Sequence, residues 1–349
     1  MKIWIVVFLL ATLLFGCQPA ISSTEEVSIS YLWDYVAGDY VRGTPTVSGE
    51  VVYAGADDNN LHAVNALTGE ALWTYETADN VTSSAAVLGD LIYFGSWDGT
   101  VYALEAAQGA ARWRYETGGW VTASPVTGGD IVYVGSHDGY FYALSAQDGD
   151  LVWRYEAGGG IQAGAALVDD LALVGSMDNY LYALDITSGD LRWRYRTNGD
   201  IVSTPAVAGG TVFVGSVDRQ FYALDAGTGR LIWTFEAGYA IESSPVVSEG
   251  VVYFGANDGL LYALRAGDGQ LMWRFQTEGI VRSSPVVWEN LVFVGSDDGS
   301  VYGVDRLTGR SVWSYHTGDA IAAGPTMADD TLFVGSTDRR LYAFSLGAQ

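Results

Sequence analysis

The chain has 349 residues, 49% of them apolar, which is enough to bury a sizeable core. Its 17 basic side chains stand against 41 acidic ones, and a net charge of −24 excludes nucleic acid and anionic lipid surfaces as partners. Cys17 is the only cysteine, so an intramolecular disulfide is excluded.

Residues 1–16 read as a signal peptide. Lys2 supplies the positive start, and Ile3–Phe15 form an apolar run too short to span a bilayer comfortably. Leu14-Phe15-Gly16-Cys17 resembles a bacterial lipobox, in which the thiol receives a diacylglycerol. The competing reading is an ordinary signal peptide with an incidental cysteine. Residues 17–27 then form a lipidated tether, and the protein is expected outside the cytoplasm, anchored to a membrane. In a Gram-negative cell Gln18 resembles the signal for the outer membrane, facing the periplasm; elsewhere the expected location is the cell surface.

From residue 28 to the end a single domain is expected. Tryptophan recurs at Trp33, Trp73, Trp113, Trp153, Trp193, Trp233, Trp273 and Trp313, at a constant spacing of forty residues. Each unit contains four short runs of strand-forming residues, such as Val121–Val126, Ile131–Gly135, Tyr140–Leu144 and Leu151–Tyr155. After residue 20 no stretch of helical length has a 3.6 period. The unit is therefore a four-stranded antiparallel meander, and such units close radially into a propeller. Seven full units run from residue 34 to Trp313. Three strands then follow without a fourth, while Ile29–Tyr35 stands alone at the start. The two ends complement each other, which predicts an all-β, eight-bladed β-propeller closed by its N-terminal strand.

The fixed positions of the repeat have physical roles. The glycines Gly55, Gly95 and Gly135 end the second strand, where a side chain would crowd the next blade. Asp58, Asp98, Asp138 and their equivalents open D-G, D-N or D-R turns, read as two-residue hairpins. Calcium at this carboxylate ring is the alternative, but one carboxylate per blade does not supply the six to eight oxygens a site requires. The eight tryptophans are expected to stitch blades together rather than to line a quinone or carbohydrate site. His62, His137 and His316 occupy three different repeat positions and make poor joint ligands. No catalytic, cofactor or metal residues are assigned.

The motif A-L-D-A-G-T-G-R-L-I-W at Ala223–Trp233 resembles the repeat of pyrroloquinoline-quinone (PQQ)-type propellers, over residues 28–345. Within that superfamily a lipidated eight-bladed chain of this size is similar to the BamB-type outer-membrane assembly lipoproteins. That resemblance implies a non-catalytic scaffold that binds protein partners in the cell envelope as a monomeric propeller. The alternatives are a quinoprotein dehydrogenase, for which the resemblance implies quinone and calcium in the central funnel, and a surface lipoprotein binding a small ligand or glycan.

The partner surface is expected on the disc face carrying the second-to-third-strand turns. Blades two to four concentrate Trp97, His137, Tyr140, Met177 and Tyr180 there, and the loop leading into blade three adds Trp120. In a two-residue hairpin the residues on either side of the turn would point the same way and form one aromatic group. The opposite face carries acidic turns, including Asp90, Asp130, Asp170, Asp185, Asp225 and Asp305. These read first as solvated turn residues and second as a surface for a basic partner.

Overall fold

The computed structural model describes residues 27–348, all strand, turn and loop without a helix. The opening strand β1 (Val27–Val36) is followed by the first blade, made of β2 (Thr46–Ser48), β3 (Val51–Gly55), β4 (Asn60–Asn65) and β5 (Ala71–Glu76). The pattern repeats to give eight four-stranded sheets, each an antiparallel meander. The eighth sheet pairs β1 with the last strand, Arg340–Ala348, so the N-terminal strand closes the ring. Closure places Trp33 opposite Ala343 and joins Arg340 to Asp34.

The core lies between blades. Second and third strands are buried on both sides, which is why they read as continuous apolar runs such as Val-Val-Tyr-Ala-Gly. Apolar clusters span neighbouring blades: Tyr53, Leu61 and Ala63 of the first pack against Val81, Ile92, Phe94 and Leu104 of the second. Outer strands alternate with half their residues in solvent.

The innermost strands are shorter than the sequence suggests. In the third blade only Val126–Gly128 pair, and Val121–Pro125 run as irregular chain. Two facts account for this. Pro125 has no N–H to offer a ladder, and the segment bonds to other partners. The Val121 N–H donates to the Ser96 carbonyl of the preceding blade. The Ser84 N–H donates to Ser124 Oγ, Thr204 to Ser244, Ser244 to Ser284, and Gly324 to Thr44 Oγ1 across the junction of the chain's two ends. Small hydroxyl residues line the axis because they carry this lateral ring of bonds.

The glycine ending each second strand is fixed by crowding. A Cβ on Gly95 would lie 2.3 Å from Val121 Cγ1 and 2.5 Å from its carbonyl oxygen. The glycine of the third-to-fourth-strand turn has a different role. At Gly109 φ is +68°, and a Cβ would lie 2.6 Å from the Trp73 ring. Each outer-strand tryptophan from Trp33 to Trp273 thus lies on a glycine turn of the next blade. Its indole N–H donates across the same seam, from Trp73 to the Ala106 carbonyl at 3.1 Å and from Trp113 to that of Ala146 at 2.9 Å. Trp313 packs instead on Phe344, with ring centroids 5.2 Å apart.

Candidate functional site

The second-to-third-strand turns are three-residue loops, not two-residue hairpins. The Ser96 N–H donates to the Thr100 carbonyl, which leaves Trp97, Asp98 and Gly99 in the loop, and the positive φ falls on the residue after the aspartate. The aspartate is saturated by donors. Asp98 accepts from the Thr100 N–H at 2.9 Å, from the Ala78 N–H of the lead-in loop at 3.0 Å, and from the Tyr102 hydroxyl at 2.7 Å. The same lead-in N–H reaches the aspartate in all eight blades. In the first blade His62 replaces the tyrosine, reaching Asp58 at 3.1 Å while its other ring nitrogen meets the Tyr35 hydroxyl. Burial, with the neighbouring carboxylate adding to it, pushes the Tyr262 phenol up to about 12. Carboxylates with this many donors serve the turn, and among the described residues no group of three His, Cys, Asp or Glu side chains stands together for a metal.

The extra loop residue divides the expected aromatic group in two. Trp97 lies inside its loop and leans inward, its indole donating to Thr82 Oγ1 at 2.8 Å. It stacks on Trp120, with centroids 5.0 Å apart and planes 20° off parallel, and Trp120 meets His137 at 5.7 Å. His137 is hydrogen-bonded to Thr122 at 2.8 Å, and burial pulls its imidazole below the ordinary value against the opposing effect of Asp138. Met177 Sδ and the His137 backbone meet at Gly160, each 3.4 Å from where its Cβ would stand, so Met177 extends the row, and Trp120 and Met177 are exposed. Tyr140 and Tyr180 are strand residues beyond the loop and face the outer strand. Arg154 covers the Tyr140 ring at 4.5 Å and Arg194 the Tyr180 ring at 4.8 Å. The expectation that these tyrosines point with the loop aromatics is therefore corrected. The structure has an inner row of Trp97, Trp120, His137 and Met177 and a separate outer pair of Tyr–Arg stacks.

The inner row belongs to a ring that the sequence reading missed. In five blades the residue before the turn aspartate meets the residue fifteen positions earlier on the innermost segment, as Trp97 meets Thr82 and His137 meets Thr122. In blade one this is Asp57 with Arg42 at 3.2 Å, in blade six Asn257 with Glu242 at 2.7 Å, and in blade seven Asp297 with Arg282. Asp57 Oδ1 and Asn257 Oδ1 are buried without a hydrogen-bond partner. Burial raises the Asp57 pKa; Arg42 opposes this, and Asp39, Asp58 and Asp79 add to it. One side of the axial mouth is thus aromatic and the other carries paired charges. The complementary charges at a spacing of fifteen were the available signal.

On the opposite face the turn carboxylates act as caps. Asp185 accepts from the Thr187 and Ser188 N–H groups at 2.9 Å and pairs with Arg192; the arginine and those N–H groups bring its carboxyl down to about 2. A cleft of about 850 Å³ between blades two and three is lined by Asp90, Glu105, Arg112 and Asp130. Cys17, the signal peptide and all of the tether but Val27 lie outside the described residues.

The fold and its repeat define a PQQ-type propeller of eight blades. A family model described as the outer membrane protein assembly factor BamB matches residues 22–96, 78–164, 158–241 and 227–348, and the chain belongs to that family. Among solved structures it is similar to BamB from Moraxella catarrhalis, with a TM-score of 0.80 and 22% identity over 91% of this chain and 100% of that one. The computationally designed Ika8 protein matches with a TM-score of 0.80 and 20% identity, over 90% of this chain and 99% of the other. A europium-containing methanol dehydrogenase also matches with a TM-score of 0.80, at 16% identity over 91% of this chain and 93% of that one. At these identities the likeness shows the fold. Comparison with curated protein sequences finds no match.

Quinone with calcium, the group implied by the dehydrogenase resemblance, does not fit the residues at the axial mouth. Asp57, Asp297 and Glu242 are each engaged by Arg42, Arg282 and Asn257, and they stand on separate blades rather than converging on one point.

Proposed function

We propose that this protein is a non-catalytic, lipid-anchored scaffold of the cell envelope that takes part in outer-membrane β-barrel protein assembly. The observation that carries this reading is the match of the BamB family model, in four overlapping segments, from residue 22 to residue 348. Cys17 carries the lipid, residues 1–16 are removed as a signal peptide, and the protein faces the periplasm. The aromatic row Trp97, Trp120, His137 and Met177 forms the protein-binding surface. It combines a stacked indole pair with an exposed thioether, the chemistry that anchors protein partners. The acidic charge of the chain suits a periplasmic protein partner rather than an anionic surface.

Two measurements test this. Cys17→Ala should move the protein from the membrane fraction to the soluble fraction; unchanged membrane retention counts against the anchor. The lipidated chain should bind the periplasmic domain of the β-barrel assembly protein encoded in the same genome. Absence of that binding, together with saturable quinone binding and alcohol-dependent turnover in the presence of calcium, would replace the scaffold by a quinoprotein enzyme.

A further inference from the structure

One turn position separates blades one and seven from the other six. At the tip of each third-to-fourth-strand turn the residues are Leu67, Ala107, Gln147, Thr187, Gly227, Gly267 and Leu307, and Gly347 takes the equivalent place in the last strand. The two leucines are the most exposed large apolar side chains among the described residues, at 69% and 71%. They stand in blades one and seven, on either side of blade eight. Nothing in the turn requires leucine. The turn is held by its cap, with Asn65 Oδ1 accepting from the Leu67 and Thr68 N–H groups and Asp305 Oδ1 from those of Leu307 and Thr308. In the other blades the same turn forms around small or polar residues.

Blade eight is where the chain enters the disc. β1 begins at Val27 opposite Ala348, at the end of the blade that carries these turns, so the described chain starts in the blade between the two leucine-bearing ones. Residues 17–26 reach at most about 35 Å when fully extended. Leu72 and Val312, each second in its outer strand, and Leu32, in the middle of β1, are also exposed, as are Val152, Ile232 and Met272 at the same position of other blades, so the edge is singled out by its turn leucines alone. The acidic first-to-second-strand turns of the same face, with Glu50, Glu289, Asp329 and Asp330, lie nearer the axis. A disc tilted onto this corner would place the leucine tips in the interface, keep those carboxylates in water and hold Asp305 and Glu70 of the leucine turns at headgroup depth. With a net charge of −24, the surface it meets must carry no net negative charge.

We infer that the edge formed by blades seven, eight and one is a membrane-docking edge, with Leu67 and Leu307 entering the interface of a zwitterionic bilayer beside the anchor point. The inference rests on the lipid-anchor reading of Cys17 for its place in the cell, and its test is made independent of that reading. The sole cysteine allows the chain from Cys17 onward, which contains the whole described propeller, to be coupled to a maleimide-bearing phosphatidylethanolamine. The vesicles are phosphatidylcholine with a diazirine group in the acyl chain. After photolysis, adducts should concentrate in the turns at 65–70 and 305–310 and be at least fivefold rarer at 225–230 and 265–270. The double variant Leu67→Ser with Leu307→Ser should lose those adducts severalfold while keeping the parent's melting temperature, and replacing a third of the lipid by phosphatidylglycerol should also reduce them. Adducts confined to the tether, spread evenly over all eight turns, or concentrated on the aromatic face would overturn the inference, as would protection of the same turns by a second copy without lipid. Intact-mass measurement of the cellular protein separately decides whether Cys17 carries a diacylglycerol.

Discussion

The seam between blades makes a prediction that separates packing from hydrogen bonding. Between the second and third blades the Ala146 carbonyl accepts twice, from the Trp113 indole at 2.9 Å and from the Tyr93 hydroxyl at 3.0 Å. In the fifth blade Phe213 occupies the tyrosine's position, and Trp233 is the side-chain donor to the Ala266 carbonyl, at 3.0 Å. Trp113→Phe and Trp233→Phe remove the same fused ring from above equivalent glycines, Gly149 and Gly269, so the packing loss is shared. They differ in what is left behind. Ala146 keeps one donor, whereas the Ala266 carbonyl loses its own, and an unsatisfied part-buried acceptor costs about 1–3 kcal/mol. Trp233→Phe should therefore be the more destabilising by about 1–2 kcal/mol, read as the difference in guanidinium unfolding free energy at equal slope. Adding Phe213→Tyr to Trp233→Phe supplies a hydroxyl where Tyr93 has one and should recover about 1 kcal/mol. Equal costs for the two single variants, with no recovery in the double, would refute the assignment of the carbonyl as the deciding group.

Three further outcomes follow from the same structure. Deleting residues 28–36 removes buried Trp33 and the strand that pairs with the end of the chain, so it should cost more than the roughly 3–5 kcal/mol of a single large core truncation. Calorimetry that finds the parent's melting temperature would show that the ring does not depend on closure. In alkali, Tyr262 and Tyr302 have folded pKa values raised to about 12, burial being the largest cause, against about 10 in the unfolded chain. Their stabilisation is complete below pH 10 and is lost as pH rises through about 12. The tyrosinate absorbance lost on Tyr262→Phe and Tyr302→Phe, taken as parent minus variant, should appear only toward pH 12; a difference already complete near pH 10 would contradict this. At the axial mouth, Trp97→Ala with Trp120→Ala should weaken capture of the periplasmic partner by several kcal/mol at most, leaving stability nearly unchanged. Tyr140→Ala with Tyr180→Ala should affect capture far less; the reverse order would move the binding surface to the outer Tyr–Arg stacks.

The sequence by itself determined everything that repeats along the chain. The forty-residue period, the strand count of each unit and the complementary ends are local or additive features, and together they fix eight closed blades. The reason glycine ends each second strand was also legible, because only one residue type tolerates the approach of Val121 to Gly95 or of Ile161 to Gly135. Tertiary structure decided what depends on how blades face one another. Trp73 meets Gly109 and the Ala106 carbonyl, and Ser84 meets Ser124, because stacking brings residues of neighbouring repeats face to face, which the period counts but does not orient. The same holds for the candidate site. Repeat position brought Trp97, Trp120, His137, Tyr140, Met177 and Tyr180 to one disc face, but the single extra residue of a three-residue loop decided which way each points. A strand side chain reverses direction with each residue, so that one residue sends Trp97 inward onto Trp120 and leaves Tyr140 under Arg154.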